Sequence, residues 1–214
     1  MHRRKVFLGA LLLCFAVSAS AAPIIYVVTI DTSSIAGTAG SLDYNFNPRS
    51  LTTQAASIQI LGFSSDGSLA GSPALTGDVS GASPSALTFD NGTGFNDYFE
   101  GFTFGSTLTF DVSLYGPALS SPDEVSTLGS TFAFSIFSDA AGTIPALTTD
   151  TTDGFAFIVN VNPDGSTTVT DYSDQTTVES ETSVIPEPGS LWLVAIGLIF
   201  IAGVCQQRTP QLSK

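Results

Sequence analysis

Nine consecutive residues limit what this chain can fold into. In Thr107-Leu108-Thr109-Phe110-Asp111-Val112-Ser113-Leu114-Tyr115, four apolar side chains alternate with polar ones. Successive side chains of an extended backbone point to opposite faces. A period of two therefore puts Leu108, Phe110, Val112 and Leu114 on one side, the pattern of a half-buried antiparallel strand. The same alternation recurs in Leu42-Tyr44-Phe46, Ile58-Ile60, Phe132-Phe134-Ile136 and Phe155-Phe157-Val159-Val161. Residues 24–30 are nearly all apolar and read as a central strand or one buried on both faces.

Turn residues separate these runs: Asn47-Pro48, Ser65-Asp66-Gly67, Asp90-Asn91-Gly92, Gly116-Pro117 and Asn162-Pro163-Asp164-Gly165. The last of them predicts a hairpin joining residues 155–161 to residues 167–172. No window before the C-terminal apolar run carries a helical period, and no fixed-period repeat is visible. The expectation is an all-β fold, an antiparallel β-sandwich of jelly-roll type over residues 22–172. Residues 173–185 are polar and acidic and read as a tether. Ser and Thr make up 48 of the 164 residues from 22 to 185, but their alternation with apolar residues argues for strands over a disordered stalk.

Charge is distributed very unevenly. Arg3, Arg4 and Lys5 lie near the start, Arg208 and Lys214 near the end, and only Arg49 between. Eighteen of the nineteen acids fall in residues 22–185, a net charge of 1 − 18 = −17 there. Binding to nucleic acid needs clustered cations that displace counterions from phosphate, so a nucleic-acid partner is excluded. Both cysteines, Cys14 and Cys205, and the single histidine, His2, also fall outside that stretch. No disulfide framework can hold it, and the usual zinc, copper and haem ligands are absent from it. The Ser-His-Asp and Cys-His nucleophile systems are excluded for the same reason.

The start reads His2-Arg3-Arg4-Lys5, an apolar run over residues 6–17, then Ser18-Ala19-Ser20-Ala21-Ala22. A basic segment, a short apolar core and small residues at −3 and −1 form a secretory signal peptide over residues 1–21. Cleavage is expected after Ala21, with Ala19 and Ala21 in the two small pockets. Cutting after Ala22 would leave Pro23 against the scissile bond. The twelve apolar residues are too few to span a bilayer core of about 30 Å.

Near the other end, Pro186-Glu187-Pro188-Gly189 precedes fourteen apolar residues, 191–204, and then Arg208. As a helix that run would measure about 21 Å. Trp192 and Arg208 stand where interfacial and positive-inside residues belong, so a membrane helix is expected over about residues 190–205. The two prolines hold the preceding segment extended and remove backbone donors, which suits the grip of a protease.

This order of features resembles the PEP-CTERM sorting signal, here spanning residues 186–214. Pro186, Glu187 and Pro188 match the signature triplet, and Arg208 alone stands where such tails carry an arginine cluster. The resemblance implies processing by the membrane protease exosortase, after export and removal of the leader by signal peptidase. It also implies transient anchoring through the helix, then a place at the cell surface or outside it. The exported stretch resembles a group of PEP-CTERM proteins through residues 31–40, residues 42–48, Gly77-Asp78-Val79-Ser80-Gly81, Phe95-Asn96-Asp97 and Gly116-Pro117-Ala118-Leu119. That resemblance carries no activity; it implies association with the envelope or with exopolysaccharide.

Only carboxylates remain as catalytic equipment. Two of them about 5–10 Å apart hydrolyse glycosidic bonds in many enzymes, and Asp97, Glu100 and Asp111 are the candidates, beside Tyr98, Phe99 and Phe102. Asp90, Asn91, Asn96 and Asp97 offer hard oxygen ligands on a Gly-rich loop, a candidate calcium site without the regular Asp-x-Asp-x-Asp-Gly spacing. Ordinary turn chemistry accounts for Asp-Asn-Gly equally well. The reading is a non-enzymatic, cofactor-free structural or adhesive component associated with exopolysaccharide. A glycan-binding module is the alternative, although the exported stretch has no Trp for stacking on sugars.

Overall fold

The computed structural model describes residues 22–181. The signal peptide, the cleavage residues Ala19 and Ala21, the sorting triplet, the expected membrane helix and Arg208 lie outside the described residues. Ala22 stands just before the first strand.

The described chain is almost entirely strand and turn. Its strands are β1 (Ile24–Asp31), β2 (Ala39–Pro48), β3 (Ser57–Ser65), β4 (Ser68–Leu69), β5 (Ala74–Thr76), β6 (Val79–Gly81) and β7 (Leu87–Asp90). They continue with β8 (Asp97–Thr103), β9 (Thr107–Tyr115), β10 (Ser130–Phe137), β11 (Phe155–Val161), β12 (Thr167–Asp171) and β13 (Thr176–Glu181). One helical turn, Pro117–Ser120, opens on the proline that its first position tolerates. No helix among the described residues is long and apolar enough to cross a membrane.

The strands form two antiparallel sheets. The first has the order β13-β1-β9-β3-β7-β6. The second runs β12-β11-β10-β2-β8-β4, with β5 also paired to β8. One apolar core draws on both. Val28, Ile30, Ile58, Ile60, Phe110 and Val112 come from the first sheet, and Leu42, Tyr44, Phe46, Phe132, Phe134 and Phe157 from the second. The Phe110 ring meets Tyr44 at 5.4 Å and Phe134 at 5.0 Å, both edge to face, so these aromatics join the two sheets.

The alternation in residues 107–115 has the predicted consequence. Leu108, Phe110, Val112 and Leu114 are fully buried, while Thr107 is exposed and Asp111 half-exposed. The hairpin of β11 and β12 is also present, with Phe157 opposite Asp171 and Val161 opposite Thr167. Gly165 takes φ +81° in its turn, a conformation that side-chain-bearing residues resist.

β1 is a central strand, with a strand on each side, and only Tyr26, Val28 and Ile30 are buried, so it is covered on one face and not on both. Its other face carries Ile25, Val27 and Thr29, which are partly or fully exposed. The tether drawn over residues 173–185 begins too early. Residues 176–181 form β13, which pairs antiparallel with β1 from Ile30↔Thr176 to Ile25↔Glu181. The edge backbone of β1 would otherwise be unpaired, and β13 satisfies it.

Candidate functional site

The outward face of the second sheet gathers most of the unusual polar chemistry. In β2, Leu42, Tyr44 and Phe46 point into the core, so Asp43, Asn45 and Asn47 point outward. The register places Asn45 opposite Asp97 on β8 and opposite Ala133 on β10. It also places Asn47 opposite Thr131, and Asp43 opposite Phe99 and Ser135. Asp43 and Asp97 are thus diagonal neighbours on adjacent strands.

Asp43 is half-buried, and its carboxyl is pushed up to about 8. Loss of hydration is the main cause, followed by a hydrogen bond to Asp97 and that residue's charge; the Asn45 amide acts in the opposite direction. Two carboxyls in contact cannot both ionise cheaply, so the pair holds a proton near neutral pH. Asn45 Nδ2 donates to Asp43 Oδ1 at 2.7 Å, while Asn45 Oδ1 is buried without a partner.

Beside this pair lies a groove of about 310 Å³. Asn45, Asn47, Thr131 and Ala133 form its base on β2 and β10, the two central strands of that region. Phe95, from the loop before β8, stands on one side, and Asp153 and Phe155, at the start of β11, on the other. Phe95 is 53 % exposed. Asn47 Oδ1 accepts the backbone N–H of Asn96 at 2.6 Å, and Thr131 Oγ1 donates to Asn160 Oδ1 at 2.7 Å. These bonds fix the polar groups of the base in place.

The four calcium candidates have separate structural tasks. Asp90 ends β7 and accepts a hydrogen bond from the Ser57 hydroxyl. Asn91 is buried; its Oδ1 accepts the Ala56 N–H at 3.0 Å, and its Nδ2 donates to Gln54 O and Ser130 Oγ. Asn96 is fully buried, with Oδ1 accepting the Asp78 N–H at 2.8 Å and the Thr93 hydroxyl. Its Nδ2 donates to Phe46 O at 2.9 Å. Gly77, at φ +73°, leaves room beside this loop, where a Cβ would collide with Phe95 O. Asp97 faces Asp43. Among the described residues, no three His, Cys, Asp or Glu side chains come together as metal ligands.

The glycosidase candidates do not converge, which corrects that grouping. Asp97 lies on the outward face of the second sheet, and Asp111 on the outward face of the first, between buried Phe110 and Val112. Glu100 points inward and is 1 % exposed. Its Oε1 accepts the Gly71 N–H at 3.0 Å and its Oε2 accepts the Tyr98 hydroxyl. Burial and the Glu100 hydrogen bond push the Tyr98 phenol up to about 12, and burial first of all raises that of Tyr44. The Tyr44 hydroxyl lies buried without a partner, and its ring meets that of Tyr98 at 6.0 Å.

Many of the remaining acids fasten turns. Asp66 receives the Ser106 hydroxyl at 2.6 Å, the Ser106 N–H at 2.8 Å and the Thr107 N–H at 3.0 Å; these bonds lower its carboxyl to about 2. Asp123 takes the N–H groups of Ser126 and Val125, and Asp164 the hydroxyl and N–H of Ser166, and both are lowered as a result. Part of the acidity is therefore turn architecture.

No curated protein and no solved structure matches the chain. One family model does: the PEP-CTERM protein-sorting motif, over residues 184–208. That span contains Pro186, Glu187, Pro188 and Arg208, the residues that carried the resemblance. The chain bears a PEP-CTERM sorting motif, the mark of an exported protein processed by exosortase.

Proposed function

We propose that the exported domain is a non-catalytic structural or adhesive component that stays associated with exopolysaccharide after its sorting tail has been processed. In this reading the domain is a β-sandwich of jelly-roll type, requires no resident cofactor, and passes through a membrane-anchored stage. Signal peptidase removes residues 1–21, and exosortase acts at Pro186-Glu187-Pro188.

The sorting motif over residues 184–208 carries the reading. The folded domain adds support, since its last strand residue, Glu181, is only four residues (182–185) from Pro186. The acids that fasten turns suit a domain stabilised without disulfides, and the glycosidase carboxylates do not meet.

Fractionation of the producing cells tests the proposal. The wild-type chain should co-purify with exopolysaccharide, and a chain lacking Pro186-Glu187-Pro188 should stay with the membrane. Equal distribution of the two chains, or release of the wild type free of polysaccharide, contradicts it.

A further inference from the structure

We infer that the groove on the outward face of the second sheet is a binding site for an uncharged saccharide, held between Phe95 and Phe155 over a base of Asn45, Asn47 and Thr131. The inference rests on the polysaccharide association proposed above and names the site and the ligand class behind it.

A sugar ring presents two kinds of surface. Its hydroxyls need donors and acceptors at fixed positions, and its C–H faces pack against flat apolar groups. The groove offers both. Phe95 is 53 % exposed, in a domain where nearly every other Phe is buried or half-buried. It stands across the groove from Phe155, which is half-buried. Leu51, 76 % exposed, lies beside the same loop, close to Gly94, and extends the apolar rim.

The polar groups of the base are already oriented. Asp43 holds the Asn45 amide, the Asn96 backbone holds the Asn47 carbonyl oxygen, and Asn160 receives the Thr131 hydroxyl proton. The Asn47 oxygen is committed to Asn96, so its NH₂ group is the donor it can offer a ligand, and exposed Asp153 adds an acceptor at the edge. The volume of about 310 Å³ falls within the range of small-molecule sites.

Charge selects among saccharides. Residues 22–185 carry eighteen acids against Arg49 alone, so a uronate- or sulfate-bearing polymer is repelled. Asp43, beside the groove, keeps its proton near neutral pH and adds no charge to the groove there. An uncharged polyhydroxyl ligand meets neither obstacle.

The test uses the full-length chain in detergent, titrated calorimetrically with β-1,4-glucan, mannan and galactan hexaoses and with oligogalacturonate. Saturable binding of at least one neutral hexaose is expected, without binding of oligogalacturonate. Phe95→Ala should weaken that binding about fivefold or more at an unchanged melting midpoint, and Asp153→Asn should weaken it as well. Saturation by none of the neutral sugars, preference for oligogalacturonate, or undiminished affinity in both variants overturns the inference. Cell fractionation separates this from the broader proposal. If wild-type chain leaves the polysaccharide fraction, the association itself fails; if Phe95→Ala chain stays there as fully as wild type, only the groove fails.

Discussion

Ile25 and Glu181 stand opposite each other on antiparallel β1 and β13. Among the described residues, the first strand is thus closed by the last, and the two ends of the folded domain lie side by side in the sheet. The domain is complete only when its last strand has been made.

Replacing residues 176–181 with a Gly-Ser stretch of equal length should therefore cost about 2–4 kcal/mol of unfolding free energy, because β1 loses an edge partner and Val178 its packing against the core. The same replacement over residues 182–185 should change it by less than about 0.5 kcal/mol. Urea denaturation measures both, and equal effects would return residues 176–181 to the status of a tether.

The Asp43–Asp97 pair sets a pH dependence. The folded state keeps a proton on Asp43 up to about pH 8, which the unfolded chain releases near the usual 3.8, so stability falls as pH rises between those values. Asp66 acts in the opposite sense: its folded value of about 2 adds stability above 3.8, lost as the pH falls. The melting midpoint should peak near pH 4–5, and Asp43→Asn should flatten the decline toward pH 8, an effect on the order of a few kcal/mol. An unchanged slope in that variant between pH 5 and 8 would remove the pair from the account.

Glu100 is a carboxylate inside the core, and its partners depend on it. Glu100→Ala strands the Gly71 N–H and the Tyr98 hydroxyl, and should cost about 3 kcal/mol, with Glu100→Gln costing less. Spectrophotometric titration should also show a Tyr98 phenol that ionises more easily in the alanine variant, since the hydrogen bond that helps to raise it is gone. A neutral effect on stability would contradict the inward placement.

Calcium should have no effect on folding. The side-chain oxygens of Asn91 and Asn96 already hold the backbone N–H groups of Ala56 and Asp78. Melting with calcium and with chelator should give midpoints within about 1 °C, because only a ligand that binds the folded state raises them. A shift of several degrees would restore the Asp90-to-Asp97 loop as a cation site.

What could be read in advance followed local physics. β9, β10 and β11 have three or four inward-facing apolar residues each, and the hairpin after Val161 has its Asn-Pro-Asp-Gly turn. β13 has no legible signal of its own, because an edge strand with one apolar residue, Val178, is specified by its partner and not by its own pattern. β8 was obscured by Glu100, a carboxylate at an inward position among Tyr98 and Phe102. The Asp43–Asp97 pair and the groove beside it join residues more than fifty positions apart. Only the register that sets Asn45 against Asp97 creates them. The sorting triplet needed no fold to be recognised, since its signal is the order of residues along the chain.

If the tail is an address that exosortase reads and removes, mass spectrometry of the mature protein from cells that contain exosortase will register its loss. The expected wild-type product starts at Ala22 and ends at or near Pro186-Glu187-Pro188, and a chain lacking that triplet keeps every residue through Lys214. A wild-type protein that retains Lys214 in such cells would contradict that role for the tail.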